Sequence, residues 1–348
     1  MSRMLIDKLY CEKILTKEEL LTLVKITDEE DFLYLCEKAN QKKEEIFGKA
    51  VYIRGLIEFT NYCKNDCYYC GIRCSNKKAE RYRMSVNDIL SACKTGEELG
   101  IRTYVLQGGE DPYFTDDKLI EIVKKIKEVY PEKAITLSVG ERSFDSYQKL
   151  KDAGVDRYLL RHESATEEHY QKLHPENLTL VNRKECLFHL KNIGVQTGAG
   201  FMVESPYQTD EHLVNDLLFL KELNPQMVGI GPFIHHKDTP FGESSDGTVR
   251  KTVLMIALTR LLLPNALIPS TTALASLDQN GRKMALHSGA NVVMPNLTPL
   301  YNRKNYLLYQ NKIAIGEETA ENFQKLWEEI ESIGLSVGLS RGDYPIIS

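Results

Sequence analysis

Hydrophobic and polar positions change rhythm once along this chain, near residue 50. Before it, TKEELLTLV and DEEDFLYLCEKANQKKEEIFG place apolar residues every three to four positions, the period of helices with one buried face, and the second stretch stops at Gly48. After it a cadence repeats: a short apolar run, a polar or glycine-rich loop, an amphipathic stretch, then another apolar run. The runs are VYIRGLIEF (51–59), TYVLQ (103–107), AITLSV (134–139), RYLLRHE (157–163), QTGAGFMV (196–203), MVGIGPFI (227–234), ALIPST (266–271) and NVVMP (291–295), eight in all. Gly100, Gly154 and Gly194 stop helices just ahead of the next run, Ser85 with Asp88 reads as a helix cap, and EETAENFQKLWEEIESIG (317–334) supplies the last helix.

Eight strand–helix units with strands buried on both faces predict a parallel (β/α)8 TIM barrel over residues 51–348, preceded by an N-terminal helical extension over 1–50. A doubly wound open sheet is the competing arrangement, because periodicity does not show closure. In a barrel, chemistry gathers on the loops that follow the strands. The loop after the first run holds Cys63, Cys67 and Cys70, with Cys74 close behind.

Composition narrows the function. At 348 residues a single barrel accommodates the chain, and 42% hydrophobic with 27% charged content is ordinary for a soluble protein. No apolar stretch approaches the ~18 residues of a membrane span, and the start MSRMLIDKLYCEKIL lacks the core of a signal peptide, so a cytoplasmic location is expected. A net charge of -5 gives no basic footprint for nucleic acid, which favours small-molecule chemistry. Cys11, Cys36, Cys93 and Cys186 are scattered through helical patterns and read as small core residues rather than a disulfide framework.

Cys63-x3-Cys67-x2-Cys70 offers three thiolates from one tight loop, whereas a 4Fe-4S cluster has four iron corners, so one corner stays open to a ligand. A chelating amino acid end, such as that of S-adenosylmethionine (SAM), suits it. Tyr69 adds an aromatic where an adenine would lie. A zinc site completed by Cys74 is the alternative, although four ligands within twelve residues lack the distant second pair of zinc ribbons. A cluster that only carries electrons or is passed on, held by four cysteines, is another.

Gly108-Gly109-Glu110-Asp111 ends the second run, where glycines let backbone approach a ligand and a carboxylate accepts from an ammonium group. Arg157, Arg161 and Glu163 are dense charge for a barrel strand and need partners or ligands; a mutual salt bridge is the plain alternative. With Arg54, Gln107, Thr136, Thr271 and Thr272 they predict a lumen for an anionic, carboxylate-bearing substrate. His235 and His236 are adjacent and read as loop residues rather than ligands.

At these residues the chain resembles the radical SAM superfamily and, within it, the HydE group of FeFe-hydrogenase maturases. The nearer likeness lies in RYRMS (81–85), VLQGGEDPY (105–113), DRYLLRHESA (156–165), TGAGFMV (197–203), MVGIGPFIHHKDTP (227–240), IPSTTA (268–273), GANVVMPNLTP (289–299) and Tyr306, spanning nearly the whole chain. The resemblance implies one 4Fe-4S cluster on the three cysteines, with SAM contacts from Tyr69, Gly108, Gly109, Glu110, Ser138, Glu163 and Arg183. Met227 and Ile230 would then contact the adenine. A lumen site follows from Arg54, Gln107, Thr136, Arg157, Arg161, Thr271, Thr272, Met294 and Tyr306. It implies reductive SAM cleavage acting on a cysteine-bound Fe(CO)2(CN) complex made by a HydG-type maturase, attack at the cysteine sulfur, and delivery to a HydF-type scaffold. Reduced ferredoxin or flavodoxin would donate the electron, with neither nucleic acid nor membrane as partner.

Methylornithine synthase, a radical mutase on a small amino acid, shares the barrel and N-terminal helices and gives the alternative activity. Some HydE proteins carry a second cluster on Cys-x7-Cys-x2-Cys; the matching positions here are Ala314, Asn322 and Lys325, so a single cluster is expected.

Overall fold

In the computed structural model, which describes residues 1–312 and 320–345, three helices precede the first strand: α1 (Ser2–Glu12), α2 (Lys17–Val24) and α3 (Glu29–Phe47). A capping box of Thr16 with Glu19 opens α2, and the Asp28 side chain opens α3. Gly48 ends α3 at a φ of 60°, a left-handed value that suits glycine.

Strands and helices then alternate. β1 (Ala50–Ile53) and β2 (Gly55–Thr60) are followed by α4 (Val86–Glu98), β3 (Thr103–Gly108), α5 (Asp116–Val129), β4 (Ala134–Ser138), α6 (Phe144–Asp152) and β5 (Arg157–Leu159). Next come α7 (Glu167–Leu173), α8 (Leu180–Ile193), β6 (Gln196–Val203), α9 (Asp210–Leu223), β7 (Met227–Pro232) and α10 (Val249–Leu262). The chain closes with α11 (Thr272–Leu277), α12 (Gly281–Leu286), β8 (Val292–Val293), α13 (Leu300–Arg303), α14 (Phe323–Ser332) and β9 (Ser336–Gly338). The Ser85–Asp88 box caps α4 as the sequence predicts.

β2 to β7 form one six-stranded parallel sheet in chain order, and β8, β1 and β9 form a second. The barrel is completed by the predicted seventh run, which contributes bridges rather than a strand: Leu267 pairs with Met227, and Pro269 with Val292. Pro269 has no N–H to give a ladder, which shortens the pairing, yet Val228 N donates to Leu267 O at 3.0 Å and Ser270 N to Val292 O at 2.9 Å. The predicted first run breaks at Arg54, where the chain passes from pairing with β8 and β9 to pairing with β3.

Strand residues alternate between two buried environments. Tyr104, Leu106, Ile135, Leu137, Tyr158, Phe201, Val228 and Ile230 join the core between sheet and helices. Their neighbours Thr103, Gln107, Thr136, Arg157 and Gly229 do not belong to that core, and they turn to the lumen. Helix α10 is buried all round, every residue from Thr252 to Leu262 included, because α3 packs over its outer side. Lys251 Nζ donates to Val24 O at 2.7 Å and ties α10 to the end of α2.

Among the described residues no helix is long and apolar enough to cross a membrane. β9 was not foreseen. It pairs in parallel with β1, and the segment after it runs to the amino-terminal ends of the strands, the barrel floor.

Candidate active site

The cysteine loop begins where β2 ends, at the carboxyl ends of the strands. Backbone bonds fold it tightly: Cys70 N to Cys67 O at 3.3 Å, Cys74 N to Asn65 O at 2.9 Å, and Gly71 N to Leu308 O at 2.8 Å. Arg81 holds it from inside, its guanidinium donating to the carbonyls of Ile72 at 2.8 Å and Arg73 at 2.7 Å. Arg83 grips Asp111 with two bonds of 2.7 and 2.8 Å. Both arginines belong to the RYRMS stretch; their roles were missed, although two cations directly after a cysteine loop were the available signal.

The thiols of Cys63, Cys67 and Cys70 face one another closely enough to disfavour each other's ionisation. Burial raises all three, Cys70 to about 12 and Cys67 well above its ordinary value. Coordination to iron reverses this, since a ligating thiol is deprotonated outright. Cys74 is exposed, beside Asp66 and Arg73, and among the described residues no three Cys, His, Asp or Glu side chains converge as a single metal ion demands. Three thiols on one loop suit a cluster, whose irons are spread over several ångströms.

The glycine-rich end of β3 presses on this loop. A Cβ on Gly109 would lie 2.7 Å from Cys63 Cβ and 2.2 Å from Tyr62 O, and Lys64 N donates to Glu110 O at 2.9 Å. Glu110 Oε1 accepts from Glu141 N at 3.0 Å, while Oε2, 3.4 Å from Lys64 Nζ, accepts no hydrogen bond among the described residues. Ser138, half-buried, ends β4 opposite Gln107. Arg183 is buried with Nε 2.5 Å from Glu141 Oε1 and donates through Nη1 to Arg161 O at 2.7 Å. Glu141 had not been singled out. Glu163 adopts a left-handed φ of 63° uncommon for its type, pairs with Arg161 at 3.1 Å, and has its carboxyl pushed up by burial against the pull of Arg161 and Arg183. Tyr69 lies between two of the cysteines with its hydroxyl 3.3 Å from His174 Nε2.

Two cavities flank the loop. One of about 210 Å³ is lined by Lys64, Glu110, Asp111 and Arg142. The other, about 410 Å³, opens among Gly71, Asn76, Lys78, His236 and Asn305. His236 packs its ring on Gly71, and His235 bonds to Asp246 at 2.7 Å.

The lumen holds the remaining predicted residues at two depths. Gln107 Nε2 donates to the Tyr306 hydroxyl at 3.3 Å near the mouth, Thr271 lies beside Gly231, and Thr272 opens α11. Thr136 is deeper, level with Arg157. The buried atoms Thr136 Oγ1, Thr271 Oγ1, Arg161 Nε and Arg54 Nε make no hydrogen bond among the described residues. Arg54 is 4% exposed, and burial together with the charge of Arg157 works against its protonated form. A guanidinium does not give up its proton in proteins, so Arg54 keeps a buried positive charge that its bond to Gly342 O and the field of Asp343 offset only in part.

Three expectations are corrected by depth and direction. Arg157 turns to the floor, where it donates to Thr103 Oγ1, Arg341 O, Gly342 O and Asp343 Oδ1 and holds the chain's own C-terminal segment instead of a ligand. Met227 begins β7 at that floor, its Sδ 3.0 Å from Arg54 Nη1, and packs with Leu267, Val292 and Met294, far from any adenine at the mouth. Ile230 points outward into the core under the helices; Gly229, beside Arg161, is the lumen-facing residue. Glu58, buried and bonded to Lys312 and to Asn296 Nδ2 at 2.9 Å, is a lumen carboxylate not anticipated from the sequence.

Residues 57–220 match the family model of the radical SAM superfamily. The chain is 44% identical over 327 residues to the [FeFe] hydrogenase maturase subunit HydE of Thermotoga maritima, covering 94% of this chain and 93% of that one. It therefore belongs to the radical SAM superfamily. Within it the chain is HydE-like, and it is also 28% identical to 3-methylornithine synthase of Methanosarcina acetivorans over 84% of its length and 83% of that protein. The crystal structure of methylornithine synthase (PylB) superposes with a TM-score of 0.81 at 25% identity, over 96% of this chain and 97% of that one. The maturase HydG shares the fold, with a TM-score of 0.83 at 18% identity over 97% of this chain and 76% of HydG.

The cofactors of this radical SAM enzyme are a 4Fe-4S cluster and SAM. The residues present fit both: three neighbouring thiols leave one iron corner open, and the Glu110 carboxylate, beside a glycine approach and already 3.4 Å from the Lys64 ammonium, suits an ammonium group. When bound and reduced, the pair supplies a 5′-deoxyadenosyl radical. This chain's residues would hold the cluster and orient SAM. Asn322 and Lys325 stand where a second cluster would need thiols, and Ala314 lies outside the described residues.

Proposed function

We propose that this enzyme acts in FeFe-hydrogenase maturation, on a cysteine-bound Fe(CO)2(CN) complex supplied by a HydG-type maturase and destined for a HydF-type scaffold. The near-full-length likeness to HydE carries this reading. The lumen agrees with it chemically, since Arg54 Nε and the Thr136 hydroxyl, both without a hydrogen-bond partner among the described residues, suit the carboxylate of a bound cysteine. Arg54, Thr136, Arg161, Thr271 and Thr272, with Gln107 and Tyr306, then bind and orient substrate, and Met294 closes the wall beside them. Tyr69, Gly108, Gly109, Glu110, Ser138, Glu163 and Arg183 position SAM over the cluster on Cys63, Cys67 and Cys70. A reduced ferredoxin or flavodoxin supplies the electron, and a reducing cytoplasm suits the free thiols.

The likeness to PylB favours a second reading, a radical rearrangement of a small amino acid in the same anion-binding lumen. The two separate on one assay: 5′-deoxyadenosine formed by the anaerobically reconstituted, reduced protein with SAM, with and without the HydG product. A marked rise with the complex is the expected result. Cleavage indifferent to the complex but stimulated by a small amino acid overturns the maturase reading.

A further inference from the structure

Helix α7 ends against the cysteine loop, and its last residues carry polar groups that neither the cluster nor the lumen has used so far. Tyr68 N donates to Leu173 O at 2.9 Å, so loop and helix end are joined through backbone. His174, 2% exposed, makes two contacts: Nδ1 lies 2.9 Å from Tyr170 O and Nε2 3.3 Å from the Tyr69 hydroxyl. A carbonyl only accepts, so Nδ1 carries the proton and Nε2 accepts from Tyr69. The Tyr170 ring stacks on the imidazole at 4.0 Å and 23°, while Tyr69 meets it edge-on at 5.5 Å. The three rings make one block, and Cys67 packs against Tyr170.

Tyr170 is fully buried, and its hydroxyl has no hydrogen-bond partner among the described residues. Around it lie Arg183, Glu141, Cys67 and Glu163, the groups that line the cofactor site. A buried hydroxyl is costly to leave unbonded, and here it sits where a polar cofactor must fit. We infer that Tyr170 is a SAM-binding residue whose hydroxyl bonds to a polar group of SAM, and that His174 is the positioning residue holding Tyr170 and Tyr69 around it. This deepens the reading of the cysteine loop as the cluster site and rests on it.

The test is SAM affinity of the anaerobically reconstituted holoenzyme, read from the change in the reduced cluster's EPR signal on titration with SAM, alongside iron content and 5′-deoxyadenosine at saturating SAM. Tyr170→Phe keeps the packing and should weaken SAM binding about 5- to 10-fold, the loss of one bond. His174→Phe should weaken it as well. His174→Gln, which can still accept from Tyr69, should recover most of the loss. Wild-type affinity in Tyr170→Phe with a full cluster overturns the binding role, and a His174→Gln variant as weak as His174→Phe overturns the positioning role. Failure of the wild-type holoenzyme to bind SAM would instead bring down the cofactor reading, and this one with it.

Discussion

Gly109→Ala puts one methyl group where the end of β3 meets the cysteine loop. The new Cβ would lie 2.2 Å from Tyr62 O, 2.7 Å from Cys63 Cβ and 3.0 Å from the Tyr62 carbonyl carbon. Ordinary contacts of these kinds are roughly 3.3–4.0 Å, so the loop must retreat by about 1 Å, and no rotamer change relieves a clash with backbone. The bond from Lys64 N to Glu110 O, 2.9 Å long, ties the two segments and resists the retreat. Overpacking of this size costs about 1–3 kcal/mol of stability. Its larger effect falls on chemistry, because a misplacement of about 1 Å in a positioned site costs on the order of 100-fold in rate. Gly100→Ala is the control: its φ of 74° strains an alanine, yet nothing lies within 4 Å of the new Cβ, so about 1–2 kcal/mol of stability is lost with the rate intact. Reconstituted iron content, denaturant melts and 5′-deoxyadenosine formation read both variants. A Gly109→Ala enzyme with full iron and a wild-type rate would refute the argument that this glycine end fixes the loop.

Three other perturbations separate the parts of the site. Cys67→Ala should abolish SAM cleavage and most of the cluster absorbance, whereas Cys74→Ser should change neither, since Cys74 is exposed and turned to Asp66 and Arg73; loss of the cluster in Cys74→Ser would revive a four-cysteine site. Arg54→Met removes a buried cation that has no carboxylate within ion-pair distance among the described residues, so the apo protein should melt at least as high as wild type while the KM for an anionic substrate rises on the order of 10- to 100-fold; an unchanged KM would remove Arg54 from the substrate site. Burial pushes the Asp111 carboxyl up, but Arg83, the Tyr113 amide and the Thr60 hydroxyl outweigh it and leave the pKa below its ordinary value. A lowered folded pKa means that the stabilisation is present above the unfolded value near ~3.9 and is lost as pH falls through the folded one. The stability gap between wild type and Asp111→Asn should therefore hold from about pH 7 to 5 and narrow below about 4; a gap that persists unchanged at acid pH would show the contact to be uncharged.

What the sequence by itself determined is local. Three cysteines within eight residues, a glycine pair before a glutamate, a serine cap three residues ahead of its aspartate and glycines before strands each act through near neighbours, so order along the chain reveals them. The cadence of runs also gave the barrel, although Pro269 reduced one run to bridges. Only the tertiary structure decided which way and how deep each strand residue points. Barrel strands are buried on both faces, so hydropathy does not alternate and cannot tell the lumen side from the helix side. Ile230 and Gly229 exchanged roles for that reason. Partners were hidden likewise: Arg54 and Arg157 read alike and both reach Gly342 O, yet Arg157 also meets Asp343 from 186 residues further along the chain while Arg54 Nε has no hydrogen-bond partner among the described residues. The ring block of Tyr69, Tyr170 and His174 spans about a hundred residues and exists only where α7 returns to the cysteine loop.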